Sequence, residues 1–254
     1  MLPTSSVRLP LQNSSSITAT AKEMTEAGYE VLSVAGDVSK WEDNERMLAE
    51  TIAHFGRLDI LVNNAGASTR GSVEKMAPEV FQNMTNVNIL GSVFPTKVAL
   101  SHLKQNKGSV IFIGSLAGLH GLPYNSIYSA TKMALTAVSE SLRNEVKSDG
   151  IHVGIAYVGF TENDPEKIIY DADGKLIYLE ERKGLKKQTP QQVAVTIRNM
   201  ILKRKKKAVL SPAGKFLYFA NRLFPGLIDR IFYSRIDTIK ANSEGKPRYV
   251  QSGN

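Results

Sequence analysis

The sequence predicts an α/β domain built on a doubly wound parallel sheet, and three observations carry that reading. Apolar runs of strand length alternate regularly with longer amphipathic segments. The runs at 58–62 and 109–113 are almost wholly apolar, as strands covered by helices on both faces must be. With 254 residues, 42% hydrophobic and 22% charged, the chain can bury one large core, and no internal repeat suggests a solenoid instead.

Each element follows from its local pattern. Residues 17–28 predict a helix stopped by Gly28, leading into the β-branched run 29–37, whose strand centres on 31–35. Trp41, Leu48, Ile52 and Phe55 share one face of a helix over 41–55, which Gly56 ends. A strand at 58–62 is expected to be buried on both faces. A long helix over 78–106, bent at Pro95, leads to a strand at 109–113. A helix over 126–148 and a strand at 152–158 complete a further unit. Beyond Gly159 the rhythm breaks into a polar loop with the turn Asp171-Ala172-Asp173-Gly174, then a helix over 190–203. The basic run Lys203 to Lys207 precedes a short candidate strand, Ala208-Val209-Leu210.

Composition removes several function classes. Zero cysteines exclude disulfides, thiolate zinc sites, iron–sulfur ligation and cysteine nucleophiles, so the fold suits a reducing compartment. No stretch reaches the roughly 18 apolar residues of a membrane span, and the opening MLPTSSVRLPLQNSSS lacks the apolar core of a secretory signal. A cytoplasmic location is the expectation. The net charge of +8 is unevenly spread: residues 182–254 hold 17 basic and 3 acidic side chains, and residues 1–181 hold 15 and 21.

In open α/β sheets ligands lie beyond the carboxyl ends of the strands. Three such ends stand out: Asp37-Val38, Asn63-Asn64-Ala65-Gly66 and Gly114-Ser115. Tyr128 follows Ser115 by 13 residues, with Lys132 four further on in Y-S-A-T-K. The i, i+4 spacing puts phenol and ammonium on one helix face, where a positive charge lowers the phenol pKa. Ser115 then supplies a second donor to the same substrate oxygen. No HExxH or metal-spaced histidine cluster is present, so no metal site is expected, and redox work needs an organic cofactor. Taken singly, the Tyr-x3-Lys pair fits a half-buried helix and Asn-Asn-Ala-Gly fits a simple turn. Their order along the chain is what carries the functional reading.

From about residue 17 to about 210, the sequence resembles the short-chain dehydrogenase/reductase family through Asp37-Val38, Asn63-Asn64-Ala65-Gly66, Asn88 in N-V-N, Ser115, Tyr128 and Lys132. The resemblance implies an NAD(P)-dependent oxidoreductase on a Rossmann-type fold. It implies that Tyr128 exchanges a proton with the substrate oxygen and that Ser115 orients the carbonyl. Lys132 would lower the tyrosine pKa and bind the nicotinamide ribose, and Asn88 would hold a water linking Lys132 to solvent. Asp37 and Val38 would contact adenine; Asn64, Ala65 and Gly66 would line the adenosine-ribose side, and Gly159 would face the nicotinamide. Family members are commonly dimers or tetramers, so a homo-oligomer is expected.

The chain departs from the family pattern twice. Val158-Gly159 stands where the family commonly has Pro-Gly, and Gly159 keeps the close backbone approach. The strand, T-G-x-x-x-G-x-G turn and helix that hold the cofactor pyrophosphate are absent, and Gly114, Gly118 and Gly121 lie on the wrong side to replace them. The first βαβ unit is thus expected to be missing, through a truncated reading frame or a remodelled protein. NAD(P)(H) binding by this chain would be weak or absent. The early strand at 31–35 would either move over to pair with 58–62 or be left as an apolar edge.

The domain plan is an unrelated or disordered segment over 1–16, the Rossmann-type domain over 17–212 with a lid near 160–207, and a basic amphipathic extension over 213–254. Within the extension, residues 215–236 carry aromatics and aliphatics between Arg222, Arg230 and Arg235. One reading is a helix pair resting on an anionic membrane, with the Lys203 to Lys207 run beside it. The preferred reading is a lid or subunit contact whose Phe and Leu face is core. Nucleic acid is not an expected partner, because the aromatics follow amphipathic packing. The expected function is interconversion of a ketone and a secondary alcohol on an apolar, lipid-like substrate. Residues 90–95 resemble those of lipid-acting members such as ketosphinganine reductases. The alternative is a truncated or non-catalytic scaffold of the same type acting in lipid or protein binding.

Overall fold

The computed structural model describes residues 14–162, 167–179, 187–245 and 247–250. Helices α1 (Ser14–Glu26) and α2 (Trp41–Phe55) precede β1 (Ile60–Asn63), α3 (Pro78–Thr85), α4 (Gly91–Gln105) and β2 (Ser109–Ser115). Then come α5 (Ser126–Glu145), β3 (His152–Val158), the strands β4 (Ile168–Tyr170) and β5 (Leu176–Tyr178), α6 (Pro190–Leu202), β6 (Lys207–Val209), and α7 (Pro212–Leu223), α8 (Pro225–Ser234) and α9 (Ile236–Glu244). The parallel sheet has the order β1-β2-β3-β6, and β4 and β5 form a separate antiparallel pair. This is the expected parallel α/β architecture of the Rossmann type. Most of the expectation for residues 1–16 falls outside the described residues, as do parts of the lid near 160–207.

The alternating side chains of β2 and β3 explain the layering. Val110, Phe112, Val153 and Ile155 pack with Leu103 of α4 and Leu135 of α5 on one face. Ile111 and Ala156 face the other way, against Met200 of α6. Gly56 closes α2 in the left-handed region at φ +72, with its N–H on the Ile52 carbonyl at 2.8 Å, as a helix-stopping glycine should.

Three expectations about elements are corrected. Residues 29–36 form no strand; Val31, Leu32 and Val34 are only half-buried and no neighbouring strand supplies a ladder. The early run therefore neither pairs with β1 nor forms an edge. The edge is β1 itself, where Ile60 is 39% and Val62 40% exposed, so this strand is not buried on both faces. In the parallel register Val62 sits beside Ile111, and α6 covers Ile111 but does not reach across to β1. Finally, the helix over 78–106 runs continuously to Gln105, but its irregularity is one turn of π-helix at Asn86–Leu90, while Pro95 lies buried inside α4.

The end of the chain returns to the middle of the fold. The Asn242 carbonyl accepts from Arg70 Nη1 at 2.9 Å, and Glu244 pairs with Lys75 at 2.7 Å. Tyr249 bridges Ile177, and the Arg248 guanidinium lies 4.2 Å from the Tyr178 ring centroid. In turn, Tyr170 of β4 bridges Thr69.

Candidate active site

At the carboxyl end of β2, the strand register places Ser115 beside Val158, one residue before Gly159. Ser115 then opens a 3-10 turn over Leu116–Gly118, its Oγ accepting from Ala117 N–H at 3.2 Å. This turn lies hard against α5: a Cβ on Gly118 would meet the Lys132 carbonyl oxygen at 2.7 Å and its carbon at 3.0 Å. Gly118, which the sequence placed on the side away from the cofactor pyrophosphate, is therefore the residue that lets the Ser115 turn approach the helix carrying Tyr128 and Lys132.

Tyr128 stands on the first turn of α5, half-buried, against an apolar wall of Met76, Val80, Met84, Ile127 and Tyr170. The Ser115 side chain lies close enough to the phenol to bear on its proton. Lys132, 6% exposed, places Nζ 5.9 Å from the Tyr128 ring centroid and donates to the Ile113 carbonyl at 3.0 Å. Burial holds the Lys132 ammonium down, to about 8, and the charge of Lys167 adds to the effect. For Tyr128 burial pushes the phenol up, and Ser115 draws it partly back. The net direction is thus opposite to the expected lowering of the phenol pKa, because desolvation dominates.

Asn88 sits in the π-helical turn and is fully buried. Its Oδ1 accepts from Ala67 N–H at 2.7 Å, while its Nδ2 donates to the Ala67 carbonyl at 3.1 Å and to Thr131 Oγ1 at 2.9 Å. Thr131 Oγ1 donates onward to the Tyr128 carbonyl at 2.8 Å. The π-turn supplies the offset that aims this amide at both the β1 loop and α5, and the side chain is a strut between them. Gly66 closes the arrangement: a Cβ there would meet Asn88 Oδ1 at 3.2 Å and Lys132 Nζ at 3.5 Å.

The structure thus brings together Ser115, Tyr128, Lys132, Asn88 and Gly66, with Gly159 beside them. Asn64 and Gly66 are exposed on the loop after β1 and Ala65 is half-buried. Val38 is buried and packs on Gly91, just past the π-turn. Asp37 spends one carboxylate oxygen on Ser39, accepting from its N–H at 2.9 Å and its hydroxyl at 2.7 Å, ahead of α2. Sequence reasoning missed Thr131 and Lys167. Thr131 lies inside Y-S-A-T-K on the buried side of α5 and was there to be read; Lys167 is placed by the chain after the third long strand, and nothing local marks it.

Among the described residues no cluster of three His, Asp or Glu side chains could hold an ion. The short chain dehydrogenase family model matches residues 5–172. Among curated proteins the chain is 32% identical over 189 residues to "Dehydrogenase/reductase SDR family member 7B" of Bos taurus, covering 74% of this chain and 58% of that protein. It is 36% identical over 162 residues to "11-beta-hydroxysteroid dehydrogenase" of Pinus massoniana, covering 63% and 45%. The chain therefore spans about half the length of these relatives. The fold is also that of a short-chain dehydrogenase from Streptomyces avermitilis (TM-score 0.72, 22% identity, 93% of this chain and 89% of that one). An alcohol dehydrogenase from Thermococcus sibiricus complexed with 5-hydroxy-NADP matches at a TM-score of 0.68 and 25% identity, over 80% and 84%. With its Ser115, Tyr128 and Lys132 converging at the end of a parallel sheet, the chain belongs to the short-chain dehydrogenase/reductase family.

Proposed function

We propose that this chain is an oxidoreductase interconverting a ketone and a secondary alcohol on an apolar substrate, with NAD(P)(H). The observation that carries it is the convergence of the Ser115 and Tyr128 hydroxyls, with the Lys132 ammonium 5.9 Å from the Tyr128 ring centroid. The apolar wall of Met76, Ile127 and Tyr170 beside Tyr128 supports an apolar substrate, and so do relatives named hydroxysteroid dehydrogenases.

The residues fit the nicotinamide ribose half of such a cofactor. Gly66 leaves room over Asn88 and Lys132 that any side chain would fill, and the Lys132 ammonium has donors to spare for a diol. Asn64, Ala65, Asp37 and Val38 would line the adenosine side. When bound, the nicotinamide supplies or accepts the hydride at the substrate carbon. In the reducing direction the carbonyl oxygen rests between the Ser115 and Tyr128 hydroxyls, and Tyr128 gives its proton to that oxygen. Lys132 stabilises the resulting tyrosinate, and Asn88 positions α5 through Thr131. Because burial holds the Tyr128 phenol protonated, its resting form at neutral pH is the proton donor.

Titrating NADH and NADPH into this chain by nicotinamide fluorescence, then adding ketones from small polar to steroid-sized, tests the proposal. Cofactor binding weaker than micromolar and ketone-dependent oxidation that increases with apolar bulk are expected. Absence of oxidation with every ketone at saturating cofactor would overturn it.

A further inference from the structure

Helices α7 and α8 are amphipathic, yet their apolar faces point outward. Phe216, Phe219 and Leu223, spaced 3 and 4 apart on one face of α7, are 66%, 61% and 66% exposed, and Phe224 and Leu227 continue the face onto α8. The inner faces bury Ala220 and Ile228 and are fastened by polar contacts as well. Asn221 Nδ2 donates to the Leu119 carbonyl at 2.6 Å, and its Oδ1 lies 2.7 Å from His120 Nδ1. His120 also stacks on Phe232 and faces Asp229 at 3.3 Å. Within one chain this Phe and Leu face is therefore not covered.

Charge says what covers this face. Lys215, Arg222, Arg230 and Arg235 are all exposed, and Asp229 is the sole carboxylate over 212–235. Lys215 and Arg222 share the exposed side of α7 with the phenylalanines. A second copy of the chain would bring like charges together across such a surface. We propose that the α7–α8 face is a docking surface for an anionic lipid bilayer. The aromatic and aliphatic side chains enter the headgroup boundary and the basic side chains pair with lipid phosphates and carboxylates. No helix among the described residues is long and apolar enough to cross a membrane, so the contact is peripheral.

The geometry also sets which end of the sheet meets the bilayer. The start of α7 abuts Leu116: a Cβ on Gly214 would meet Leu116 Cδ2 at 2.6 Å, one residue from Ser115. The Lys203 to Lys207 run lies at the opposite end, where the Arg204 guanidinium donates to the carbonyls of Lys107 and Gly150, before β2 and β3. That run is thus not part of the surface. A docked bilayer lies beside the Tyr128 end, where an apolar substrate dissolved in lipid can reach the site without crossing water. The last statement rests on the catalytic reading; the docking surface does not.

The test is flotation of the full chain, without cofactor, with vesicles of phosphatidylcholine alone or mixed with phosphatidylserine. The unaltered chain floats with the anionic vesicles. Phe219→Glu with Leu223→Glu, and Arg222→Gln with Arg230→Gln, each reduce the bound fraction roughly tenfold or more. Lys205→Gln with Lys206→Gln at the far end leaves it unchanged, and circular dichroism melts confirm that each variant folds. Absence of flotation, or flotation indifferent to Phe219→Glu with Leu223→Glu, or a loss shared equally by the Lys205 and Lys206 pair, overturns the proposal. A lipid-free dimer that Phe219→Glu with Leu223→Glu dissociates, without vesicle binding, overturns it in favour of a second copy.

Discussion

Tyr128→Phe lowers ketone turnover roughly 100- to 10,000-fold, the usual range for removing a positioned acid. The loss falls on kcat, with KM nearly unchanged, because proton transfer to the substrate oxygen is made only in the transition state. The phenylalanine ring keeps the contacts with Met76, Val80 and Met84 that hold Tyr128 in place, so the melting temperature moves by only a few degrees. The Ser115 hydroxyl retains its bond from Ala117 N–H in the variant and stays in position. Steady-state rates at saturating cofactor, read beside a thermal melt, decide the matter. Turnover equal to that of the unaltered chain would remove Tyr128 from the acid/base role and leave the site as a binding cleft.

Lys132→Met is expected to abolish turnover and yet stabilise the fold. The folded-state pKa of Lys132, about 8, lies below that of an unfolded lysine, near 10.4. Between those values the unfolded chain binds more protons, so stability contributed by this site rises with pH through that window. Below pH 8 the full cost of burying the cation is present, roughly 3 kcal/mol by linkage. Methionine removes that cost and forfeits the bond from Nζ to the Ile113 carbonyl, about 1 kcal/mol, for a net gain of about 2 kcal/mol at neutral pH. The advantage shrinks as the comparison moves from pH 7 to pH 9. Denaturant titrations of both proteins at the two pH values measure it. A methionine variant less stable at pH 7, with no change in pH slope, would sink the buried-cation account.

The sequence was legible where a residue's own neighbours decide its conformation. Gly56, the i, i+4 pair of Tyr128 and Lys132, and the full run of β3 behave as their local patterns require. It was illegible where a partner element decides. Val31 to Ala35 have strand composition but no ladder to join, and Ile60 and Val62 have core composition on a face that α6 does not reach. The π-turn at Asn88 has no composition signal, because its reason is the distance to Ala67, a contact 21 residues back in the chain. The outward apolar face of α7 was ambiguous for a related cause: periodicity marks an apolar stripe but not what lies opposite it.

The returning C-terminal tail also has a meaning in folding kinetics. Ser115, Tyr128 and Lys132 belong to one β-turn-α unit whose contacts close over short stretches, such as the 19 residues between Ile113 and Lys132. The tail contacts from Asn242 to Arg70 and Glu244 to Lys75 close over 172 and 169 residues. Loop-closure entropy grows only slowly with length, so such tethers are affordable at equilibrium, but non-local pairings form late. The Ser115, Tyr128 and Lys132 unit is therefore expected to assemble before the tail docks, and pulse-labelled exchange should protect β2 and α5 amides ahead of those in β5. Earlier or simultaneous protection of β5 would contradict this order. On that order a nascent chain would have Ser115, Tyr128 and Lys132 together while the β4–β5 pair is still unstrapped.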